Sequence, residues 1–460
     1  MILKTANTLS PAQMAGDILQ LTDLYERVHP CPLTEFPVRK LGDDLSLLKD
    51  RLSTPLSRME FYRILAPIVN GTGDEHTHML LPAQDLKEYS DQGGFFFPFD
   101  IGVWGGQAYI SSFLDNKDYE IPRGAELLAI NSRPMTEILK TLKGFFSGTS
   151  ENQQIFFLET SFPEAHYLGY GSSDNFKVSF KVGDDPALKE LTIQGCPIVE
   201  KKNKADFPIL NVSPLRVRID NHFQRMGKSA ILLDFIEFQN PSREFDILLD
   251  KMFEIAKIEA RNLLIIDMRR NLGGNSFVAK SLLSYFVKNK YFLLESSELH
   301  ASEELKRHFL SFIPPWLRAL GIQYIHPWTS KLWRAKKGEM VSISFKPIRP
   351  GKKQGKRFNG KVIFLTGPGD YSSSAILLGT IKHYKLGTIV GEPSGGYPTH
   401  YGNCIPYTLE NSQLKVLIPA SINHGLGTGP VLPDHEIRIS PEDMAEGRDT
   451  VIEYALSLTP

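Results

Sequence analysis

Apolar residues near the start of the chain recur every three or four positions, which is the spacing of one face of an α-helix. The first predicted helix begins after Ser10, where a proline and then a glutamine complete a helix-start signal. A second helix is predicted from about Pro55 to Asn70. Residues 1–85 are therefore expected to form an N-terminal helical region that ends in the polar turn 73–78.

Beyond the helical region, the pattern changes to short runs that alternate apolar and polar residues. Such runs occur between 93 and 148 and again at 176–182, with one helix predicted at about Met135–Leu142. We therefore predict a β-rich module at 86–200. The charged stretch 199–207 is the predicted linker to the rest of the chain.

Buried strands and helices alternate through residues 208–460. Apolar runs of strand length occur at 230–235, 262–268, 362–365 and 388–390, and helices are predicted at 243–260, 276–287 and 374–384. This alternation is typical of a mainly parallel sheet covered by helices on both faces. Sites on such sheets form at the carboxyl ends of the strands. The turn at Gly273–Gly274 and the turn that follows Leu365 are therefore expected to lie close together.

A long insertion, residues 290–360, separates these two turns. It is rich in aromatic residues, namely Phe309, Phe312, Trp316, Tyr324, Trp328 and Trp333. One interpretation is a local helical core, and the other is a lid or substrate wall that offers apolar contact to a bound chain. The segment 349–357 is not a phosphate loop, since its glycine spacing is wrong and no buried strand precedes it.

Composition and charge exclude several classes of protein. The chain is 42% apolar and 23% charged, as expected for a soluble protein. Lys+Arg and Asp+Glu are equal at 52 each, so nothing indicates a nucleic-acid partner. No apolar run has the length of a membrane span. The first residues lack the apolar core of a signal peptide, which indicates a cytoplasmic protein unless a signal for export has been removed.

The stretch from Lys361 to Gly396 has the pattern strand, tight turn, serine, helix. This arrangement lifts a hydroxyl above a sheet, beside the unpaired N–H groups of a helix N-terminus. A nucleophilic serine needs such N–H groups, because its tetrahedral intermediate carries negative charge. The alternative is that Ser372, Ser373 and Ser374 cap the helix. The residues alone do not distinguish the three serines.

The polar turn 73–78 contains two acids and two histidines. A metal site is not expected there, because His76 and His78 would share one strand face while the acids point elsewhere. Three widely spaced cysteines, at 31, 196 and 404, match no zinc or redox spacing. We therefore predict neither a metal nor another cofactor.

Four separated segments together resemble one family, the C-terminal processing (tail-specific) peptidases. The segment 264–274, LIIDMRRNLGG, is similar to their D-x-R-x-N-x-G-G signature, and 390–396, VGEPSGG, resembles the turn after their serine helix. The segment 73–77, GDEHT, resembles the D-x-H-T turn of the branch that includes tricorn core protease and retinoid-binding relatives. The segment 429–436, GPVLPDHE, resembles the late G-x-x-P-D segment. The β-rich module is similar in layout to the family's PDZ-like module, most clearly at Arg123–Asn131.

The resemblance implies an α/β fold with a ClpP/crotonase-like core, an N-terminal helical region and a PDZ-like module. It also implies serine peptidase activity on a polypeptide substrate. In the register of the family's serine helix, Ser373 matches the nucleophile and Ser374 the residue whose N–H serves the oxyanion hole. Gly273 and Gly274 match the turn that supplies the other oxyanion donor.

The chain departs from the family at the base. Many members carry a lysine just after the Gly-Glu turn, but here that region reads Tyr397-Pro398-Thr399. The resemblance to the tricorn-like branch then assigns the base to His76, since an imidazole is suited to take the serine proton at neutral pH. Candidates for the acid that orients it are Glu436 and Asp434 in the late segment and Glu75 and Asp74 beside the histidine. Ile376 also stands where many members have glutamate.

Three functions fit these observations. The first is a serine endopeptidase that cuts extended or unstructured polypeptides presented by the PDZ-like module. The second is a catalytically inactive protein on the same fold that binds a peptide or a hydrophobic ligand, which the missing lysine favours. The third is acyl-CoA chemistry, which would use the same glycine turn. The sequence leaves open whether the chain acts as a monomer or a homo-oligomer.

Overall fold

The structure is a computed structural model of the 460-residue chain. It describes residues 8–33, 39–115, 117, 119–197, 222–227, 229–236, 238, 243–325, 329–351 and 357–458. The predicted linker, 199–207, lies outside the described residues.

The N-terminal region is mainly helical. Its elements are β1 (Thr8–Leu9), α1 (Pro11–Val28), α2 (Arg39–Arg51), β2 (Leu56–Ser57), α3 (Arg58–Asn70), β3 (His78–Met79) and α4 (Ala83–Asp91). Ser10 caps α1, because its hydroxyl accepts a hydrogen bond from the N–H of Gln13. The sequence analysis missed α2, whose leucines at 41, 45 and 48 are buried although most of its other residues are polar.

An antiparallel sheet and three helices follow. The elements are β4 (Phe99–Trp104), β5 (Gln107–Phe113), β6 (Glu126–Ile130), β7 (Arg133–Pro134), α5 (Met135–Lys143), α6 (Glu151–Glu159), α7 (Phe162–Tyr170), β8 (Asn175–Val182) and β9 (Asp185–Gln194). The strand order is β4-β5-β6-β8-β9, with β7 paired to β6, and β4 lies at one edge. The β-rich pattern and α5 were predicted, whereas α6 and α7 were not.

The α/β core begins after the residues that are not described. Its first elements are β10 (His222–Met226), β11 (Ala230–Asp234), α8 (Arg243–Ile258), β12 (Leu263–Asp267), a 3₁₀ turn (Ser276–Val278) and α9 (Ala279–Leu283). The insertion contains β13 (Ser296–His300), α10 (Glu303–Ser311), α11 (Pro315–Ala319), α12 (Ile322–Ile325), α13 (Thr329–Arg334) and β14 (Met340–Ser344).

The insertion is not a compact aromatic core. Phe312, Trp316 and Tyr324 are each more than half exposed. Trp328 lies outside the described residues. Only the part nearer the body of the protein, such as Phe309 and Trp333, packs against the main apolar cluster.

The remaining elements complete the core. They are β15 (Lys361–Thr366), α14 (Ser373–Tyr384), β16 (Thr388–Gly391), β17 (His400–Gly402), β18 (Ile405–Thr408), β19 (Lys415–Ile418), β20 (Ser421–His424), β21 (His435–Glu436), α15 (Pro441–Glu446) and α16 (Thr450–Ser457). The central sheet has the order β10-β11-β12-β15-β16-β21. Strands β11 to β21 of this sheet run parallel, and only β10 is antiparallel.

Alternate residues of the parallel strands pack on opposite faces of the sheet. Leu264 and Ile266 join the cluster that includes α8 and α14, whereas Leu263 and Ile265 join the cluster with α16. The predicted parallel sheet, covered on both faces, is confirmed. None of the helices in the described part of the chain has both the length and the apolar composition needed to cross a bilayer.

A second set of pairings ties the two ends of the chain together. Strand β3 of the N-terminal region pairs with β19, so that Met79 lies opposite Val416 and His78 opposite Leu417. Because β3 directly follows the polar turn 73–78, this pairing holds that turn against the α/β core.

Candidate active site

A sharp turn connects β15 to α14 and carries the three serines. Asp370 closes the first part of this turn, since its carboxyl group accepts hydrogen bonds from the N–H of Gly367 and the hydroxyl of Ser374. Ser372 then has φ 57° and ψ −126°, a conformation that residues other than glycine rarely adopt. A strained serine between a strand and a helix is the geometry of a nucleophile elbow.

The three serine hydroxyls have different surroundings. That of Ser374 is bound to Asp370, and that of Ser373 lies 2.6 Å from the carbonyl oxygen of Gly274 and 2.8 Å from the hydroxyl of Ser276. Ser372 is half-buried, and no hydrogen-bond partner for its hydroxyl occurs among the described residues. The elbow geometry therefore lies one residue before Ser373, the residue selected by the family register.

The glycine turn after β12 lies directly against this elbow. A Cβ atom on Gly273 would come within 2.8 Å of the Ser372 Cβ and 2.9 Å of the Ser373 nitrogen, and one on Gly274 would overlap the carbonyl oxygen of Phe238. Both glycines have positive φ, at 86° and 130°. Only glycine fits these positions, because both the space and the backbone conformation exclude a side chain.

Backbone N–H groups near the elbow differ in availability. The N–H of Gly273 donates to the side chain of Asn271 at 2.9 Å, and the N–H of Ser374 donates to the carbonyl of Tyr371 at 3.1 Å. The N–H of Gly274 has no acceptor among the described residues. Ser373 is the first residue of α14, so its N–H has no acceptor within the helix.

Asp74 organises the histidine turn. Its buried carboxylate accepts hydrogen bonds from the N–H of His76, and from both the N–H and hydroxyl of Thr77, at 2.6 to 3.1 Å. His29 lies 3.2 Å away on the other side. Burial opposes ionisation of Asp74, but the hydrogen bonds and the neighbouring imidazoles outweigh it and lower its pKa to about 2. Asp74 therefore shapes the turn and holds His29.

His76 reaches the serine turn. Its buried ring stacks on that of Tyr371, the residue before Ser372, with 4.9 Å between ring centroids. On β17, His400 stacks on it as well, at 5.0 Å. Burial, followed by repulsion from His400, lowers the pKa of His76 well below its ordinary value, so the imidazole is neutral at pH 7.

Glu75 is the acid closest to this imidazole. Its Oε1 lies 3.5 Å from His76 Nδ1, and its Oε2 accepts a hydrogen bond from Gln153 at 3.3 Å. The backbone N–H of Ser372 faces this carboxyl group and, like Gln153, favours its ionised form. Burial, with a smaller contribution from Asp74, raises the pKa of Glu75 to about 8. The side chain therefore connects the histidine turn with the elbow.

The two acids predicted from the late segment lie elsewhere. The carboxylate of Asp434 binds the Lys382 ammonium and the N–H of Ile389. Glu436 is exposed on the edge strand β21. Neither contacts His76 among the described interactions, so the structure brings His76 together with Glu75 instead.

Two residues at the site were not found from the sequence. Gln153 comes from α6, which the sequence analysis did not predict, and His400 follows the region where many relatives carry lysine. Neither has a local motif that signals its position. Within the described residues, no group of three or more His, Cys, Asp or Glu side chains is arranged to hold a metal ion.

Comparison with known proteins gives a family match for the core and similar folds for the whole chain. Residues 231–404 match the model of peptidase family S41. Among solved structures, mature CPAF is similar with 14% identity and a TM-score of 0.66 over 97% of this chain and 96% of that chain. Mature CPAF complexed with lactacystin gives 14% identity and a TM-score of 0.65 over 97% of both chains. None of the curated protein sequences matches significantly.

The fold and the matched core define the class of this protein. It is a mixed α/β protein whose fold resembles that of mature CPAF, and its α/β core matches the model of peptidase family S41 over residues 231–404. The family predicted from the four segments, that of the C-terminal processing peptidases, is confirmed. A photosystem II D1 C-terminal processing protease also aligns over 96% of this chain and 94% of that chain, with 12% identity and a TM-score of 0.43.

Proposed function

We propose that this protein is a serine endopeptidase with a ClpP/crotonase-like core, which hydrolyses extended or unstructured polypeptides. The observation that carries the proposal is the strained conformation of Ser372, directly beside the ring that stacks on His76. Backbone strain of this kind persists only where the surrounding structure enforces it, and it is concentrated at active sites.

Ser372 is the proposed nucleophile. Its hydroxyl is the one that has no structural hydrogen bond among the described residues, whereas Ser373 and Ser374 are both bound to groups of the surrounding turns. Ser373, which the family register selects, remains the alternative. The two assignments differ in which N–H follows the nucleophile and serves the oxyanion hole.

The oxyanion hole of the proposed site consists of the N–H groups of Gly274 and Ser373. This choice is supported by the acceptors that already occupy the N–H groups of Gly273 and Ser374. Negative charge on the tetrahedral intermediate would be stabilised by two fixed donors in a site partly removed from water. The absence of a side chain at Gly273 lets the glycine turn approach Ser372 this closely.

His76 is the proposed general base. As Ser372 Oγ attacks the scissile carbonyl carbon, the neutral imidazole takes the hydroxyl proton and later gives it to the leaving amine. His76 next takes a proton from a water molecule, and the resulting hydroxide attacks the acyl-enzyme. The second product leaves as His76 returns the proton to Ser372 Oγ. Glu75 is the proposed neighbour that orients the imidazole, and Asp74 provides the negative charge nearest to the imidazolium that forms.

We further propose that the antiparallel sheet acts as a PDZ-like module that presents the polypeptide. A cavity of about 440 Å³ separates the edge strand β4 from the carboxyl ends of the parallel strands, beside the residues that precede the elbow. The N–H of Val103 in β4 donates to Glu159, and its carbonyl accepts from Arg438. An edge strand can pair with an extended chain where that chain displaces these two side chains from the backbone.

A fluorophosphonate probe tests the assignment, because it modifies only an activated serine. We expect stoichiometric labelling of the intact protein, mapped by peptide mass spectrometry to Ser372, and loss of labelling in His76→Ala. Labelling at Ser373 would move the nucleophile by one residue. An unlabelled protein would instead favour the inactive, ligand-binding function on the same fold.

A further inference from the structure

A second buried imidazole lies against the proposed base. The rings of His76 and His400 have centroids 5.0 Å apart and planes only 13° apart. Tyr371 also stacks on His76, at 4.9 Å and 29°. Tyr371 and His400 make no ring contact with each other among the described residues. Two rings from distant segments therefore pack on His76 without contacting each other.

His400 is itself firmly anchored. It belongs to β17, where its backbone lies opposite Asn423 of β20. Its Nδ1 lies 2.8 Å from the carbonyl oxygen of Tyr397, so the Nδ1–H donates and the neutral tautomer is fixed. Burial lowers the pKa of His400, which keeps the ring uncharged at neutral pH. The face turned to His76 is therefore flat, rigid and neutral.

His76 has an unusual need for such a support. A base in a serine peptidase is ordinarily held by a hydrogen bond from Nδ1–H to an acceptor. Here the contact of Nδ1 with Glu75 is 3.5 Å, longer than a normal hydrogen bond, and Nδ1 is buried without a hydrogen-bond partner. Because this contact with Glu75 is long and the χ2 torsion of histidine is broad, packing must help to set the plane of the ring.

We propose that His400 is a positioning residue whose flat ring, together with that of Tyr371, holds His76 in the plane from which it takes the Ser372 proton. The inference rests on the proposed function and extends it to a residue that no motif identified. His400 acts through His76 and does not touch the reacting atoms.

Several titratable groups face His76. Asp74, Glu75 and His78 come from its own turn, Tyr371 from the elbow and His400 from β17. Asp74 favours the imidazolium, whereas a proton on His400 or His78 would disfavour it. Glu75 is largely protonated at neutral pH and so offers the imidazolium little charge. Removing the nitrogens of His400 should therefore raise the pKa of His76.

Two substitutions of His400 distinguish the role of its flat ring from the role of its titrating nitrogens. His400→Phe keeps a flat aromatic ring without a titrating group, and His400→Ala removes the ring. His166 supplies the matched control, since it is 4% exposed against 7% for His400 and packs among Phe97, Phe162, Tyr170 and Phe176, away from the site. His166→Phe and His166→Ala report what the loss of a buried imidazole does to the protein in general.

The measurements are kcat and KM on an unfolded polypeptide, together with the pH profile of kcat/KM. We expect His400→Ala to lose roughly 10² in kcat with little change in KM, as a small misplacement of a catalytic group does. His400→Phe should retain kcat within about threefold, on the same scale, and its acid limb should move to higher pH. Neither His166 variant should change kcat or the position of the limb.

Three results would overturn the proposal. A wild-type kcat in His400→Ala would show that the ring is not needed. An equal loss of kcat in His400→Ala and His400→Phe would show that the ring nitrogens of His400 matter rather than its flat shape. A rise in KM alone shows a role in substrate binding. Should His400→Ala be unfolded by thermal melting, His400→Phe still decides through its pH profile. The proposed function fails separately, if wild-type protein neither cleaves polypeptide nor is labelled at a serine.

Discussion

The two turns that meet at the candidate site are held in different ways. The serine turn is one contiguous stretch between β15 and α14, and its own Asp370 closes it. The histidine turn is held by distant groups, because His29 approaches Asp74 from the end of α1 and the hydroxyl of Ser147 donates to the carbonyl of Glu75. The geometry of the proposed nucleophile is thus a local property, whereas the position of the proposed base depends on the whole fold.

This difference has a consequence for mutations. Changes within the serine turn should act on catalysis while leaving the rest of the protein folded. Changes in the histidine turn should cost stability as well, since the groups that hold it lie in the interior. The following predictions test that contrast.

The largest effect is expected at the elbow. Ser372→Ala should lower kcat/KM on an unstructured polypeptide such as casein by at least about 10⁴-fold, because the covalent step is lost. The kcat/KM of Ser373→Ala should be at least about 10²-fold higher than that of Ser372→Ala, since Ser373→Ala loses only the contacts with Gly274 and Ser276. The opposite order of activities would show that the family register, with Ser373 as nucleophile, is right.

Asp74→Asn should destabilise the protein by about 3 to 5 kcal/mol, because it removes one partner of a buried, hydrogen-bonded cluster. Urea unfolding at pH 7 measures this change. The folded-state pKa of Asp74, about 2, lies below its ordinary value of 3.8, so its contribution is present above pH 4 and disappears as the pH falls through 2. The difference in unfolding free energy between Asp74→Asn and wild type should therefore become smaller as the pH falls towards 2.

The control for this experiment is Asp434→Asn. Asp434 forms a partly exposed pair with Lys382, so its loss should cost no more than about 1 kcal/mol. If both substitutions cost the same, the histidine turn is no more dependent on buried contacts than the surface is.

Gly273→Ala should lower kcat by about 10² to 10³ while the protein stays folded, because the added methyl would push the oxyanion turn away from Ser372 and Ser373. Gly429→Ala is the matched control, since a Cβ atom there meets nothing within 4 Å and φ is not positive. Full activity in Gly273→Ala, measured by kcat on the same substrate, would contradict the close approach of the two turns.

The smallest effect is a pH dependence at Glu75. Its folded-state pKa, about 8, lies above its ordinary value of 4.5, so the folded protein binds the extra proton between these values and loses stability as the pH rises through them. Glu75→Gln removes this loss, and its stability relative to wild type should therefore increase from pH 5 to pH 8.5. Chemical denaturation across that range measures the difference.

Glu436→Gln serves as the control for the Glu75 experiment, because Glu436 is exposed on β21. No pH-dependent difference from wild type is expected. A pH-independent effect of Glu75→Gln would show that the carboxyl group of Glu75 is ionised in the folded protein, contrary to its burial.

Much of the fold could be predicted, because its signals are local. The helical start was predicted from the capping box at Ser10. The parallel sheet was predicted from the apolar strands at 262–268 and 362–365 and from the alternation of strands and helices. Helix α2 escaped because its three buried leucines stand among charged residues. The insertion was harder to interpret, because a segment rich in aromatic residues can form either a buried local core or exposed helices. Here it forms α11 and α12, which contain no buried residues.

The candidate site was predicted less evenly. The structure places the glycine turn, the serine turn and His76 close together, but the sequence could not choose the orienting acid between Glu75 and the late segment. That choice depends on how β3 pairs with β19, a contact between distant parts of the chain. Neither Gln153 nor His400 carried any local signal.

The sequence by itself determined the strands, the tight glycine turn and the presence of a serine between a strand and a helix, because each follows from neighbouring residues and their conformational preferences. Only the tertiary structure decided which serine is strained, which acid meets the imidazole and which ring supports it. Each of these contacts joins segments that are far apart in the chain. Residues at the site become buried only when those segments pack together, and burial then determines both their packing and their protonation.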